Sequence, residues 1–171
     1  MTTLLTLSCK VTSLLALSTL LRVSEIAGID KKSIIFSEEA VEFSLSRPRK
    51  WQRSGTLATY KLNKQKEENV CPVECLGHYI GRTERLRGQD NQDVLFISTT
   101  PPHHPTDGQT VARWIKKLMF EAGIDTGFSA HSTRSAASSK EWASGIALDI
   151  ILKKANWSKA SILKKIYNKP F

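Results

Sequence analysis

Cysteine, acidic side chains and long unbroken apolar runs are all scarce in this 171-residue chain. The three cysteines, Cys9, Cys71 and Cys75, leave one unpaired under any disulfide scheme. That argues against a disulfide-stapled secreted scaffold and for a reducing compartment. The apolar stretch at the N-terminus, Met1 to Leu21, is interrupted by Ser, Thr and Lys10 too often to span a bilayer, so no membrane partner is expected. It also lacks a basic leading region and a clean small-residue cleavage site before Arg22, and it reads as a buried helix rather than a signal peptide. Internal repeats and low-complexity tracts are missing as well.

The shortage of acid is the most informative of these. Against 16 acidic residues stand 25 basic ones, for a net charge of +9 and a pI near 9.6. A domain with that bias usually meets a polyanion, most commonly nucleic acid. Length and an apolar content of 40% suit one well-cored domain and exclude global disorder.

Taken in order, Val11 to Ile26 predicts a core helix, with Arg22 near its end and Gly28 as its stop. A half-buried arginine requires an anion, either Glu25 three residues on or a bound phosphate. Residues 32–45 predict one or two short strands. Ser46 to Gly55 is a basic loop carrying Arg47, Arg49, Lys50 and Arg53, and Thr56 to Leu62 returns as a strand. The result is a small antiparallel sheet whose hairpin loop can reach a DNA backbone. Pro72 to Arg87 predicts a helix with a basic C-terminal end. Val94 to Ile97 is a buried run, and residues 99–108 form an extended connection containing His103 and His104. Thr110 to Ala122 is amphipathic, with Val111, Trp114, Ile115, Leu118 and Met119 inward, and Gly123 ends it. Ser129 is expected to cap the following helix, which ends near Gly145. Another short helix covers Ile146 to Ala155, and Ser158 caps a last one that delivers Tyr167.

Within this frame His131 and Arg134, three residues apart, are expected on one helix face. A donor and a permanent cation there form a grip for an anion, with the guanidinium fork suited to phosphate oxygens. Tyr167 supplies a hydroxyl able to attack phosphorus. Cys71, Cys75 and His78 suggest zinc, but no fourth ligand is near, so helix packing after Pro72 is the expected role and no metal is assigned.

The segment Leu14 to Glu25 with Arg22, the run His131-Ser132-Thr133-Arg134, then Trp157 and Tyr167 resemble, in order, the catalytic domain of tyrosine recombinases. Finer details are similar to the recombinases of DIRS, Ngaro and Crypton mobile elements. These are Arg47-Pro48-Arg49-Lys50, Gln52-Arg53-Ser54-Gly55, His103-His104-Pro105, Ala122 to Asp125, Ser135 after the His131 motif, and Tyr167-Asn168-Lys169-Pro170. The resemblance covers nearly the whole chain. It implies an α+β, mainly helical fold with a small antiparallel sheet, residues 1–171 forming the catalytic domain. It also implies cleavage and rejoining of double-stranded DNA through a 3′-phosphotyrosyl intermediate, without cofactor or metal, by a homo-tetramer on two duplexes. Tyr167 is then the nucleophile, and Arg22 and Arg134 hold the non-bridging oxygens. His131 assists proton removal, and Lys50 protonates the leaving 5′ oxygen, with Lys61 and Lys64 as alternatives. Trp157 stands where many relatives carry His; its indole N–H can donate but cannot act as acid or base. Trp51 departs from the smaller polar residue of the pattern. Relatives carry an N-terminal DNA-clamping domain and often a longer C-terminal tail, which are not seen here; weak DNA binding and poor turnover are the expectation. The alternative is a catalytically inactive DNA-binding remnant. The nucleus is the expected location for a eukaryotic mobile element, the cytoplasm otherwise.

Overall fold

The computed structural model describes residues 2–48 and 57–157. Its centre is helix α1, Leu4–Thr19, which starts at Leu4 rather than Val11 and packs against four later helices. Val11 and Leu15 are fully buried along it, as expected. Three of its buried hydroxyls are accommodated because they donate back along the helix: Ser8 to the Leu4 carbonyl at 2.8 Å, Thr12 to Ser8 at 2.7 Å and Thr19 to Leu15 at 2.6 Å. Thr3 caps the first turn, its hydroxyl accepting from the Thr6 amide at 3.1 Å.

The predicted single helix over Val11 to Ile26 is in fact two. Leu20 takes a left-handed conformation, φ 56°, and ends α1; α2, Val23–Ala27, begins afresh with Arg22 as its N-cap and closes at Gly28. Arg22 therefore opens a helix instead of trailing one.

Strands β1 (Ile35–Phe36), β2 (Ala40–Ser44) and β3 (Thr59–Asn63) form an antiparallel sheet in that order. Val41 opposes Leu62 and Phe43 opposes Tyr60, and Val41, Phe43 and Leu62 are buried. The Phe43 and Tyr60 rings stack at 5.6 Å. The other face carries Glu42 opposite Lys61.

Helix α3 (Pro72–Thr83) starts with proline in its first turn and buries Val73, Cys75, Leu76 and Tyr79 on α1's side of the core. Cys71 and Cys75 are core residues, as packing predicted, while His78 is exposed. Arg87 does not serve the helix end. It is buried beyond it and donates to the carbonyls of Asn91, Val94 and Leu95 and to the Thr83 hydroxyl, fixing the loop that leads to the buried run Leu95 to Ile97. Helix α4 (Gly108–Glu121) is capped by Asp107, which accepts from the Thr110 amide at 2.8 Å. It packs on α1 and α2 through Val111, Trp114 and Ile115. Helices α5 (Ser132–Ala143) and α6 (Leu148–Ala155) form a smaller second cluster. Ser129 is not the cap of α5; the position before its first residue is His131, and the Ser132 hydroxyl accepts from the Ser129 amide instead.

Candidate active site

Three chain segments meet around the end of α1. Leu20, fully buried, packs in one apolar cluster with Ala137 of α5, Ile151 and Ala155 of α6, and Trp157. Two residues later comes Arg22. The left-handed turn at Leu20 thus inserts one side chain between α5 and α6 and releases the next polar residue at the start of α2.

Arg22 is held by Glu25. Its backbone N–H donates to Glu25 Oε2 at 2.8 Å, and its Nη1 lies 2.9 Å from Oε1. Since arginine has no acceptor, only the glutamate half of a capping box operates here. The Glu25 side chain is 10% exposed and that of Arg22 24%, so the carboxylate is a buried anchor under a cation that still reaches solvent. The two readings of Arg22, local ion pair and phosphate ligand, are compatible: one face of the fork is tied and the side chain stays accessible.

Arg134 lies deeper. At 8% exposure it sits in the third residue of α5, donates from Nη2 to the Ala155 carbonyl, and places its guanidinium carbon 4.8 Å from the centre of the Trp157 ring. A guanidinium over an indole face is both packed and polarised favourably. Trp157 arrives there through the end of α6. Asn156 adopts φ 53° and donates to Lys153 O at 3.1 Å, while the Trp157 amide donates to Leu152 O at 2.9 Å. This is a Schellman turn with asparagine in the left-handed position. His131 is exposed just before α5, so the expected pair is divided between solvent and interior, joined by the Arg134 amide donating to the His131 carbonyl at 3.2 Å. The helix begins only after His131, and Arg134 is drawn inward by Ala155 and Trp157.

A cleft of about 800 Å³ opens beside this cluster, between β3, the end of α1 and α6; Thr19, Tyr60, Lys61, Lys153 and Asn156 are among its walls. The helix that faces the sheet across this cleft is α6. Of the alternative lysines, Lys61 lies 3.2 Å from Glu42 and Lys64 2.9 Å from Glu74. The Glu74 hydrogen bond and charge push the Lys64 ammonium above its ordinary value, which makes it a weaker proton donor. Arg47 is exposed at the approach to the hairpin. Arg49, Lys50, Arg53 and Tyr167 lie outside the described residues. The sequence reading passed over Leu20 and Asn156, and Gly108, which packs closely on α2. Only Asn156 carried a signal, as a residue tolerant of left-handed backbone just before a predicted helix start.

The sequence pattern described as the phage integrase family matches residues 3–171. The chain belongs to this family. Its fold is that of the tyrosine recombinase catalytic domain, as expected from the ordered motifs. Among solved structures, XerH site-specific recombinase bound to palindromic difH substrate, in a post-cleavage complex, superposes with a TM-score of 0.73 at 12% identity, covering 98% of this chain and 43% of that one. XerA recombinase gives 0.66 at 19% identity, covering 98% and 56%. The Tn1549 transposon integrase, in complex with transposon right end DNA, gives 0.62 at 15% identity, covering 94% and 54%. The chain therefore spans about half the length of these proteins. No curated protein matches it. No helix among the described residues is long and apolar enough to cross a membrane.

Proposed function

We propose that this chain is the catalytic portion of a DNA strand transferase that cuts and rejoins double-stranded DNA through a 3′-phosphotyrosyl intermediate. The observation that carries the reading is the convergence at Leu20. One buried residue locks the segment holding Arg22 to the helices that hold Arg134 and Trp157, in a chain of the phage integrase family. Attack on a phosphodiester builds negative charge on its non-bridging oxygens, and two cations fixed before the reaction stabilise it without reorganisation. Arg22 and Arg134 fill that role. Trp157 supports Arg134 from its ring face and offers its indole N–H to a phosphate oxygen. Tyr167 supplies the nucleophile. A phenol has a pKa of about 10, so His131 at the solvent edge assists proton removal. Lys50 protonates the leaving 5′ oxygen, with Lys61 and Lys64 as the alternatives. Energy is kept in the phosphotyrosyl bond, so rejoining needs no external energy source.

The finer assignment within this reading is a recombinase of the DIRS, Ngaro or Crypton mobile-element type, acting as a homo-tetramer in the nucleus. It rests on the motifs around Arg47, His103 and Tyr167. A nicked DNA substrate that traps the cleaved strand tests the reaction. The expected result is protein joined covalently to the 3′ end, and its loss in Tyr167→Phe. Retained DNA shift with no covalent product at any time would instead establish a binding remnant.

A further inference from the structure

The start of α4 lies against the start of α2 at Gly108. A Cβ built on Gly108 would come within 3.0 Å of Ser24 Cα, 3.1 Å of its backbone N and 3.2 Å of its Cβ. Two of these three atoms are backbone, which cannot swing aside. Ser24 is the second residue of α2, and Arg22 is the N-cap of that same short helix. On its other side Arg22 follows Leu20 and Leu21, which are 0% and 2% exposed and cannot shift without disturbing two apolar clusters. The short segment that carries Arg22 is thus held between buried leucines on one side and, through Ser24, the bare Cα of Gly108 on the other. We propose that Gly108 is a positioning residue: the missing side chain lets α4 seat α2 where the Arg22 guanidinium, held from beneath by Glu25, meets the DNA phosphate. This rests on the proposed function for its catalytic consequence, but not for its structural one. Gly108 has no left-handed backbone requirement, so backbone strain at residue 108 itself adds nothing, and the gain in helix propensity from a methyl does not by itself move Arg22.

The test is Gly108→Ala, with Gly81→Ala as control, since a Cβ at Gly81 meets nothing within 4 Å. Isotope-labelled arginine, with side-chain resonances assigned through Arg22→Lys and Arg134→Lys, reads the geometry directly. The Arg22 Nε–H resonance is expected to move in Gly108→Ala and the Arg134 resonance to stay, with neither moving in the control. Covalent-complex formation is expected to fall by about tenfold or more while DNA affinity holds, because sub-ångström misplacement of a catalytic group is costly. Gly108→Ala added to Arg22→Ala is expected to cost nothing further, since both act through one group. An Arg22 resonance that stays put in folded Gly108→Ala overturns the proposal, as does a cleavage loss that adds in full to that of Arg22→Ala. If wild-type protein forms no covalent complex, the proposed function fails, and the resonance alone decides the role of Gly108. The milder Ser24→Gly/Gly108→Ala variant, which removes the 3.2 Å contact, is expected to show a smaller displacement and serves if the single variant folds poorly.

Discussion

Asn156 is a small residue in the sequence and a decisive one in the structure. Its left-handed φ of 53° ends α6 and turns the chain so that the Trp157 ring faces the Arg134 guanidinium. Asparagine tolerates that region, glycine accepts it freely, and a β-branched side chain is strained there. Asn156→Gly is expected to leave stability within a few tenths of a kcal/mol and keep the Trp157 stack, while Asn156→Val costs about 1–2 kcal/mol. Urea unfolding measures the difference, and tryptophan emission, taken as the difference from the matching Trp157→Phe variant, reports whether the ring leaves the cation. Equal effects of the two substitutions would mean that the asparagine side chain matters more than the backbone. The same position shows what could be read in advance. Arg134, Trp157 and Arg22 were legible because each is an unusual residue in an ordered motif. Their depths were not legible, because burial of Arg134 depends on a carbonyl at Ala155, 21 residues further along the chain.

Leu20 marks the larger difference between expectation and structure at the level of elements. The apolar run from Val11 to Ile26 gives no local reason to break, and leucine is a strong helix former. It breaks because Leu20 is bought by the second cluster, where its side chain is 0% exposed, at the cost of a left-handed backbone worth about 1–2 kcal/mol for a residue with a Cβ. Only tertiary packing decides that contest, so no periodicity argument on α1 alone could have found it. The strands, α3, α4 and the α5–α6 pair were legible because their apolar periods and stop signals agree with their surroundings, as at Gly123 and Gly145, both with positive φ. The consequence at Leu20 is an inverted order of substitutions. Leu20→Ala loses the buried side chain and keeps the strain, for about 2–5 kcal/mol. Leu20→Gly loses slightly more side chain but releases the strain, and is expected to be the more stable of the two by about 1 kcal/mol, the reverse of the order in a helix interior. Thermal unfolding of both variants checks it. Alanine ahead of glycine would mean that the turn at residue 20 is not left-handed in solution.

For the whole molecule, the three thiols offer a probe of how far α1 and α3 behave as one body. Cys9 on α1 and Cys71 and Cys75 at the start of α3 belong to a single apolar cluster, and their exposures are 1%, 0% and 4%. Burial pushes the Cys9 and Cys75 thiols above their ordinary range, and the nearby Glu121 adds to the effect at Cys9. The thiolate is the reactive form, so both exclusion from solvent and the raised pKa suppress alkylation. In the folded protein at neutral pH, a thiol reagent is therefore expected to label none of the three on the timescale that labels all of them in denaturant. As urea is raised, labelling becomes possible only through opening of the cluster. If α1 and α3 separate together with the rest of the core, the three sites label with one shared dependence on urea, which mass spectrometry resolves site by site. Cys71 and Cys75 labelling well ahead of Cys9 would show instead that α3 detaches from a core that α1 and α4 still hold. That outcome would locate the weakest part of the molecule at α3. The Arg22 segment, which α1 and α4 position between them, would then stay ordered after α3 is lost.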